Sequence, residues 1–273
     1  MKICTTIEEF NTWRQSVKGS VGFVPTMGAL HHGHISLIES AKKQTDYVVV
    51  SIFVNPTQFL EGEDFDAYPK REASDKAVCE RMGVDCLFMP NANTIYFEDE
   101  LSVLAPKVRA YTLEGALRPG HFDGVMQVVL KLFNIVKPQK AFFGKKDAQQ
   151  LSLIMLMVKT LFLDIEIVPI DTVRESDGLA LSSRNVYLSK DERTKALGLS
   201  KALRKASSLV VGKEFDCLKI NEEMQIVLEG IDIEYIAFIN RQFQKIDRIE
   251  QGNTIIALAA KIGTTRLIDN IWI

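Results

Sequence analysis

The chain has 273 residues, of which 47% are hydrophobic and 25% charged, an ordinary composition for a globular protein with a sizeable core. Its 33 lysines and arginines nearly balance 35 aspartates and glutamates, for a net charge of −2. This balance excludes the basic excess typical of a nucleic-acid-binding protein.

The first segment predicts a short helix. It spans residues 5–17, with Thr6 as the N-cap and Glu9 three residues on, as in a capping box. The polar and acidic residues 1–9 are unlike a secretory signal peptide. The four cysteines form no CxxC pair, which predicts reduced thiols, no zinc site and a cytoplasmic protein.

The next motif joins a strand to a helix. Residues 21–24 are an apolar run typical of a buried strand, and residues 35–43 have helical apolar spacing. Between them, His31 and His34 stand at the helix entrance, with Gly33 allowing close approach to the backbone. A helix N-terminus attracts anions through its N–H groups and dipole. The pattern favours a phosphate site, although a histidine here can also be a cap or a surface residue.

A second strand is predicted at residues 47–54, where apolar and β-branched residues are nearly continuous. Asn55 and Gln58 follow it, at the carboxyl end where open α/β sheets bind ligands, although Asn55-Pro56 can also be a simple turn. A helix at residues 74–82 and a strand at residues 84–89 continue a β-α-β rhythm. This rhythm predicts a doubly wound parallel sheet.

Polar residues also occur at the start of two further predicted helices. Arg118 and His121 lie in a predicted Gly/Pro loop before a helix at residues 125–136, where an isolated arginine can also be a surface charge. Residues 145–150 follow a strand predicted at residues 140–144 and open the next helix. Their two lysines are placed to neutralise phosphate, although such a pair can also be merely solvated.

The apolar stretch at residues 151–163 is too short to span a bilayer and predicts a buried helix. Residues 164–170 are predicted to be the last strand of the sheet. A polar loop follows at residues 172–185, and we place the domain boundary in it. The N-terminal domain is predicted to span residues 1–174 and a C-terminal lid domain residues 175–273.

Beyond the loop, Ser189 and Glu192 form a capping-box pair that opens a long amphipathic helix ending at about residue 211. A second helix and three strands of a small antiparallel sheet are predicted at residues 216–228, 233–239, 254–260 and 265–268. The predicted fold class is α/β, a Rossmann-like doubly wound parallel sheet with a smaller C-terminal α+β domain. The C-terminal part is predicted to be a lid or dimerisation module without chemistry of its own.

Several of these segments resemble those of one enzyme family. PTMGALHHGH at residues 25–34 contains the HxGH signature of the nucleotidyltransferase superfamily and is similar to the same stretch of the pantoate–β-alanine ligase family. The other similar segments are SIFVNPTQF at 51–59, RPGHFDGV at 118–125, KLFNIV at 131–136, GKKD at 144–147 followed by two glutamines, and RESDGLALSSRN at 174–185. The chain departs from the family at Lys70, in a predicted surface loop at residues 64–70, and at Met126 and Gln127.

The resemblance implies an ATP-dependent ligase that acts on small molecules, with no nucleic acid or membrane partner. Pantoate carboxylate attacks the α-phosphate of ATP and releases pyrophosphate, and the amine of β-alanine then displaces AMP. The resemblance also implies Mg²⁺ with the ATP and a homodimer. No protein ligand is assigned to the metal, Asp75 being the nearest candidate.

Roles follow by matching positions to the family motifs. The implied catalytic residues are His34, which the resemblance makes the proton donor, His31, Lys146 and Arg184. The implied ATP-binding residues are Met27, Gly28, Ala29, Leu30, His31, His32, Gly33, His34, Gly144, Lys145, Lys146, Asp147, Val173, Leu181, Ser182, Ser183 and Arg184. Pantoate and β-alanine are assigned to Gln58, Gln150, Asn55 and Arg118.

Two other functions stay open at this point. A nucleotidyltransferase that joins AMP to a phosphate acceptor would need a basic acceptor pocket in place of Gln58 and Gln150. A non-catalytic nucleotide sensor should lack part of the HxGH, GxKD and SSR set, whereas all three segments are present.

Overall fold

The computed structural model describes residues 1–63 and 65–273. The chain forms two units, one of Met1–Lys145 with Leu153–Asp171 and one of Lys146–Ser152 with Thr172–Ile273. The functional boundary between residues 174 and 175 stays a prediction.

The first unit is built on six strands: β1 (Lys2–Cys4), β2 (Val21–Thr26), β3 (Tyr47–Ile52), β4 (Cys86–Phe88), β5 (Lys140–Gly144) and β6 (Glu166–Ile170). Their order is β1-β4-β3-β2-β5-β6, and every neighbouring pair is parallel. The order reverses between β2 and β5, and open α/β sheets bind ligands at the carboxyl ends of the strands beside such a reversal. The predicted doubly wound parallel sheet is confirmed.

Two of the helices between these strands, at residues 92–95 and 114–117, have no predicted counterpart, and the others lie in segments predicted to be helical. The helices are α1 (Ile7–Ser16), α2 (His32–Gln44), α3 (Glu72–Arg81), α4 (Ala92–Ile95), α5 (Glu114–Leu117), α6 (His121–Val136) and α7 (Ala148–Thr160). The capping box predicted for α1 is present, because Glu9 N–H donates to Thr6 Oγ1 at 3.2 Å and the Glu9 carboxylate accepts from Thr6 N–H at 3.3 Å.

Strand β1 is absent from the sequence interpretation, because three residues are too few to show a period. Strand β2 extends through Pro25 to Thr26, two residues beyond its predicted end. The proline is tolerated because β5 pairs with β2 only at Gly22 and Phe23, so Pro25 lies where β2 has a single neighbour.

Three other predictions need correction. His121 is not in a loop but is the first residue of α6, after Gly120 in a left-handed conformation with φ 85°. The apolar stretch at 151–163 is only partly buried, because Met155 and Phe162 are exposed. In the predicted surface loop at 64–70, Asp64 lies outside the described residues and Tyr68 is buried against the Phe59 ring.

The second unit contains the antiparallel sheet predicted for the C-terminal part. Its strands are β7 (Asp232–Asn240), β8 (Thr254–Ile262) and β9 (Thr265–Trp272), with β8 in the centre, and its main helices are α8 (Lys190–Val211) and α9 (Cys217–Val227). Apolar residues of α8, α9 and β8 form its core, including Leu199, Leu203, Ile220, Met224, Ile256 and Leu258. The described part of the chain holds no helix long and apolar enough to cross a membrane.

Candidate active site

His31 and His34 lie side by side at the start of α2. His31 is the N-cap, its Nδ1 accepting from Gly33 N–H at 3.1 Å, and His34 Nδ1 accepts from His31 N–H at 3.3 Å. The ring centroids are 4.2 Å apart. Since Nδ1 is the acceptor in both rings, the neutral rings carry their protons on Nε2. His31 is therefore a helix cap, as one of the two interpretations predicted, and the pair also places two ring N–H donors at a helix N-terminus.

The turn before these histidines is held by a buried carboxylate. Gly28 and Ala29 both have positive φ, at 86° and 50°. Asp75, 2% exposed, accepts from Ala29 N–H at 2.9 Å and from Leu30 N–H at 2.8 Å, one bond to each oxygen. Both carboxylate oxygens therefore hold the backbone of the turn, and we expect no metal-binding role for Asp75. An aspartate in the first turn of a polar helix gives no sequence signal of this contact with the turn.

Asn55 and Gln58 form a chain of amides after β3. Asn55, 1% exposed, donates from Nδ2 to Gln58 Oε1 and to Gly124 O, both at 3.2 Å. Its Oδ1 accepts from the Tyr96 hydroxyl at 2.6 Å. Gln58 Nε2 in turn donates to Met27 Sδ at 2.9 Å. The two amides are therefore held in defined orientations. Asn55 also caps the 3₁₀ helix Pro56–Gln58, so it has the turn role that was the alternative interpretation of Asn55-Pro56.

Arg118 is engaged by Glu63 rather than exposed as an isolated charge. Its Nε and Nη2 donate to the two Glu63 oxygens at 2.6 and 2.7 Å. Burial alone raises the pKa of Glu63, but hydrogen bonds from Arg118 and Leu60 N–H outweigh it and hold the pKa below its ordinary value. The guanidinium is thus fixed and neutralised by a bidentate pair.

His121 connects Arg118 to Gln58. Its Nδ1 lies 2.7 Å from Gln58 O and its Nε2 3.1 Å from Arg118 Nη1. Because a carbonyl and a guanidinium fix the donor at each end, the ring is neutral with its proton on Nδ1. Burial, together with the positive Arg118, lowers its pKa to about 4.

We expect this histidine to make the fold acid-sensitive. Between about pH 6.5 and pH 4 an unfolded histidine binds a proton that folded His121 does not, so the free energy of unfolding falls as the pH falls. On going from pH 7 to pH 4.5, the wild type should lose about 2 to 3 kcal/mol more than His121→Gln, measured by urea unfolding. Equal losses in the two proteins would contradict the neutral assignment.

Gln127, one of the departures from the family pattern, has a structural role. Its Oε1 accepts from Val103 N–H at 2.6 Å, and its Nε2 donates to Leu101 O at 2.7 Å. It therefore anchors the backbone at residues 101–103. Met126 is buried and Lys70 exposed.

The remaining candidate residues lie after β5 and in the loop after β6. Gly144 ends β5, and Lys145 pairs with Asp171 at 2.5 Å in the first unit. Lys146, Asp147 and Gln150 belong to the second unit, as do Val173, Leu181, Ser182, Ser183 and Arg184. Leu181 N–H donates to Val173 O at 3.0 Å, which closes the loop, and Ser182 Oγ accepts from Arg184 N–H at 3.3 Å.

The structure thus assembles the candidates in two groups. His31, His34, Gln58, Asn55 and Arg118 belong to the first unit, with Met27, Gly28, Ala29, Leu30 and Gly33, whereas His32 is exposed on α2. Sequence reasoning missed Glu63, Tyr96 and Asp269 and the contact of Asp75 with the turn, because each acts through a partner distant in sequence.

A parallel sheet with paired histidines opening the helix after β2 defines an α/β protein of the HxGH nucleotidyltransferase class. More particularly, the chain belongs to the pantoate–β-alanine ligase family, whose model matches residues 2–272. The resemblance inferred from the motifs is confirmed.

Relatives agree over the full length. A pantothenate synthetase of Sulfurimonas denitrificans is 54% identical over 100% of both chains. The solved pantothenate synthetase of Thermus thermophilus is 39% identical, with a TM-score of 0.93 and 99% of each chain covered. The pantoate–β-alanine ligase of Francisella tularensis, solved in complex with β-γ ATP and β-alanine, is 38% identical with a TM-score of 0.82, covering 99% of this chain and 97% of that one.

Proposed function

We propose that this chain condenses pantoate with β-alanine at the expense of ATP, releasing AMP and pyrophosphate. The observation that carries the proposal is the His31–His34 pair, which presents two ring Nε2–H donors at a helix N-terminus. Such donors stabilise charge that develops on phosphate oxygens. The Francisella tularensis relative, with its bound β-γ ATP and β-alanine, supports the same substrates here.

The reaction proceeds through a pantoyl adenylate. A carboxylate oxygen of pantoate attacks the α-phosphorus, and the bond to the bridging oxygen breaks as pyrophosphate leaves. The amine of β-alanine then attacks the acyl carbon, loses a proton, and the bond to AMP breaks. The protein has only to position the reactants and stabilise phosphate charge, so no covalent enzyme intermediate is needed.

Residue roles are part of this proposal. His34 and His31 donate to phosphate oxygens, while Lys146, Ser182, Ser183 and Arg184 hold the triphosphate. The other nucleotide contacts are proposed for Met27, Gly28, Ala29, Leu30, His32, Gly33, Gly144, Lys145, Asp147, Val173 and Leu181. Gln58 and Gln150 bind pantoate, since their amides both donate to hydroxyls and accept from them. Asn55 and Arg118 are proposed to contact pantoate or β-alanine as well. Asn55 Nδ2 donates to the Gln58 side chain, and Arg118 Nη2 donates to Gln58 O at 3.4 Å.

Mg²⁺ enters this scheme as the magnesium complex of ATP. A metal held mainly by phosphates and water needs few protein ligands. Asp75 is committed to the backbone of residues 29 and 30 and is not among them.

We also propose that the protein is a cytoplasmic homodimer. Four large apolar side chains, Phe97, Leu101, Leu104 and Val108, are at least two-thirds exposed along one stretch of the first unit. Such side chains gain from burial against a second copy. Sedimentation velocity should give twice the monomer mass, and a monomer at micromolar concentration would refute the dimer.

Pyrophosphate release tests the function directly. With ATP alone the purified protein should release almost none, with ATP and pantoate it should release about one equivalent per site, and β-alanine should make release continuous. Release that depends on a phosphorylated acceptor instead would identify a nucleotidyltransferase. ATP binding without turnover of any acceptor would identify a nucleotide sensor.

A further inference from the structure

Strand β9 carries two adjacent buried polar residues, Asp269 and Asn270, that are 3% and 4% exposed. Asp269 binds Arg174 through both oxygens, at 2.6 Å from Nη1 and 2.9 Å from Nη2. The bond crosses 95 positions of sequence. A bidentate carboxylate–guanidinium pair constrains both distance and orientation, so it fixes Arg174 against β9.

Arg174 carries this constraint into the loop that holds Ser182, Ser183 and Arg184. Its Nη1 also donates to Gly178 O at 3.2 Å, and its backbone forms an antiparallel bridge with Ala180. Gly178 needs its left-handed backbone, with φ 98°. The loop therefore begins as a small hairpin, with Arg174 joining its turn to β9.

Asn270 holds the other phosphate-binding segment. Its Nδ2 donates to Lys146 O at 2.6 Å, across 124 positions of sequence. Its Oδ1 accepts from Trp272 Nε1 at 2.9 Å, which selects the amide orientation that presents Nδ2 to Lys146. The backbone of Lys146 is thus attached to the same strand, one residue along.

We propose that Asp269 and Asn270 are positioning residues that set the 174–184 loop and Lys146 in one frame, so that both meet the same polyphosphate. The inference rests on the proposed function, which assigns these two segments to ATP. All the contacts lie within the second unit. We assign these two residues a role in geometry and not in stability. Well-packed apolar residues would stabilise such a buried site at least as well as an ion pair does, so stability alone does not explain the pair.

The test compares Asp269→Asn and Asn270→Ala with Glu234→Gln. The control removes the carboxylate charge that pairs with Arg266 Nε at 2.6 Å, an Arg–carboxylate pair of the same sheet. Both test variants should raise the KM for ATP about 10- to 100-fold, as expected when reacting groups are displaced, with the KM for pantoate little changed. The control should leave both constants unchanged.

Hydrogen exchange of the unliganded protein gives a readout independent of turnover. Asp269→Asn should speed exchange in residues 174–181 and Asn270→Ala in residues 145–150, each leaving the other segment slow. If a variant fails to fold, Arg174→Lys, which keeps the charge but loses the fork, takes its place. Folded variants with wild-type exchange and wild-type KM for ATP overturn the proposal. Faster exchange in the variants, combined with a wild-type protein that turns over no substrate, would instead support positioning and refute the proposed function.

Discussion

Replacing His34 with alanine is expected to slow pantoate-dependent pyrophosphate release about 30- to 1,000-fold, equivalent to about 2–4 kcal/mol of transition-state stabilisation. The His34 ring is oriented by its bond from His31 N–H, which leaves Nε2 as the protonated donor. Removing one such donor from a phosphate site removes an interaction that strengthens as charge develops. The measurement is the rate constant of the single turnover of pyrophosphate release at saturating ATP and pantoate.

Two further variants separate this loss from damage to the helix. His34→Gln retains an acceptor for the capping-box bond and an N–H donor, so it should keep the wild-type thermal midpoint and recover part of the activity. Glu39→Ala, on the exposed surface of the same helix, should leave turnover within about twofold. A His34→Ala protein within twofold of wild-type activity would remove the histidine from the catalytic machinery.

Replacing Asp75 with asparagine is expected to cost about 2 to 4 kcal/mol of the free energy of unfolding and at least about 100-fold in turnover. Both carboxylate oxygens accept from backbone N–H groups, and an amide can offer only one acceptor. The NH₂ group of the substituted side chain would face the other backbone N–H, which is also a donor. The turn with positive φ at Gly28 and Ala29 would lose its support, and the histidines that follow it would shift.

Asp85→Asn is the matched control for this variant. Asp85 also accepts from a backbone N–H, that of Val48 at 2.8 Å. This bond lies at the amino end of β3, whereas the candidate site lies at the carboxyl ends of the strands. It should lose about 1 kcal/mol of stability and keep wild-type kcat. Urea unfolding and pyrophosphate release measure both quantities. If Asp75→Asn loses stability while keeping its kcat, the turn does not position the histidines.

The sequence predicted most of the helices and strands because their signals are local. The apolar run in β2 and the capping boxes at Thr6 and Ser189 each depend on residues within four positions. Failures occurred where the local signal was short or ambiguous. Strand β1 has three residues, and the Gly/Pro sequence before His121 indicated a loop although the helix had already begun.

The candidate site divides in the same way. The motifs identified the family, and they alone indicated His31, His34 and Gln58 as candidate site residues. They did not reveal that Arg118 is paired with Glu63, 55 positions away, or that a neutral His121 joins it to Gln58. A sequence shows which side chains can bind an anion, but a partner brought close by folding decides which of them are already engaged.

By itself, the sequence determined the parallel α/β architecture, the antiparallel C-terminal sheet and the chemistry available at the strand ends, since periodicity, caps and motifs act over a few residues. Only the tertiary structure decided how these groups are held. Asp75 supports a turn 46 positions earlier, Asp269 binds Arg174 across 95 positions, and Asn270 binds Lys146 across 124. Such pairs leave no pattern in the chain, because their geometry exists only after the sheets have formed.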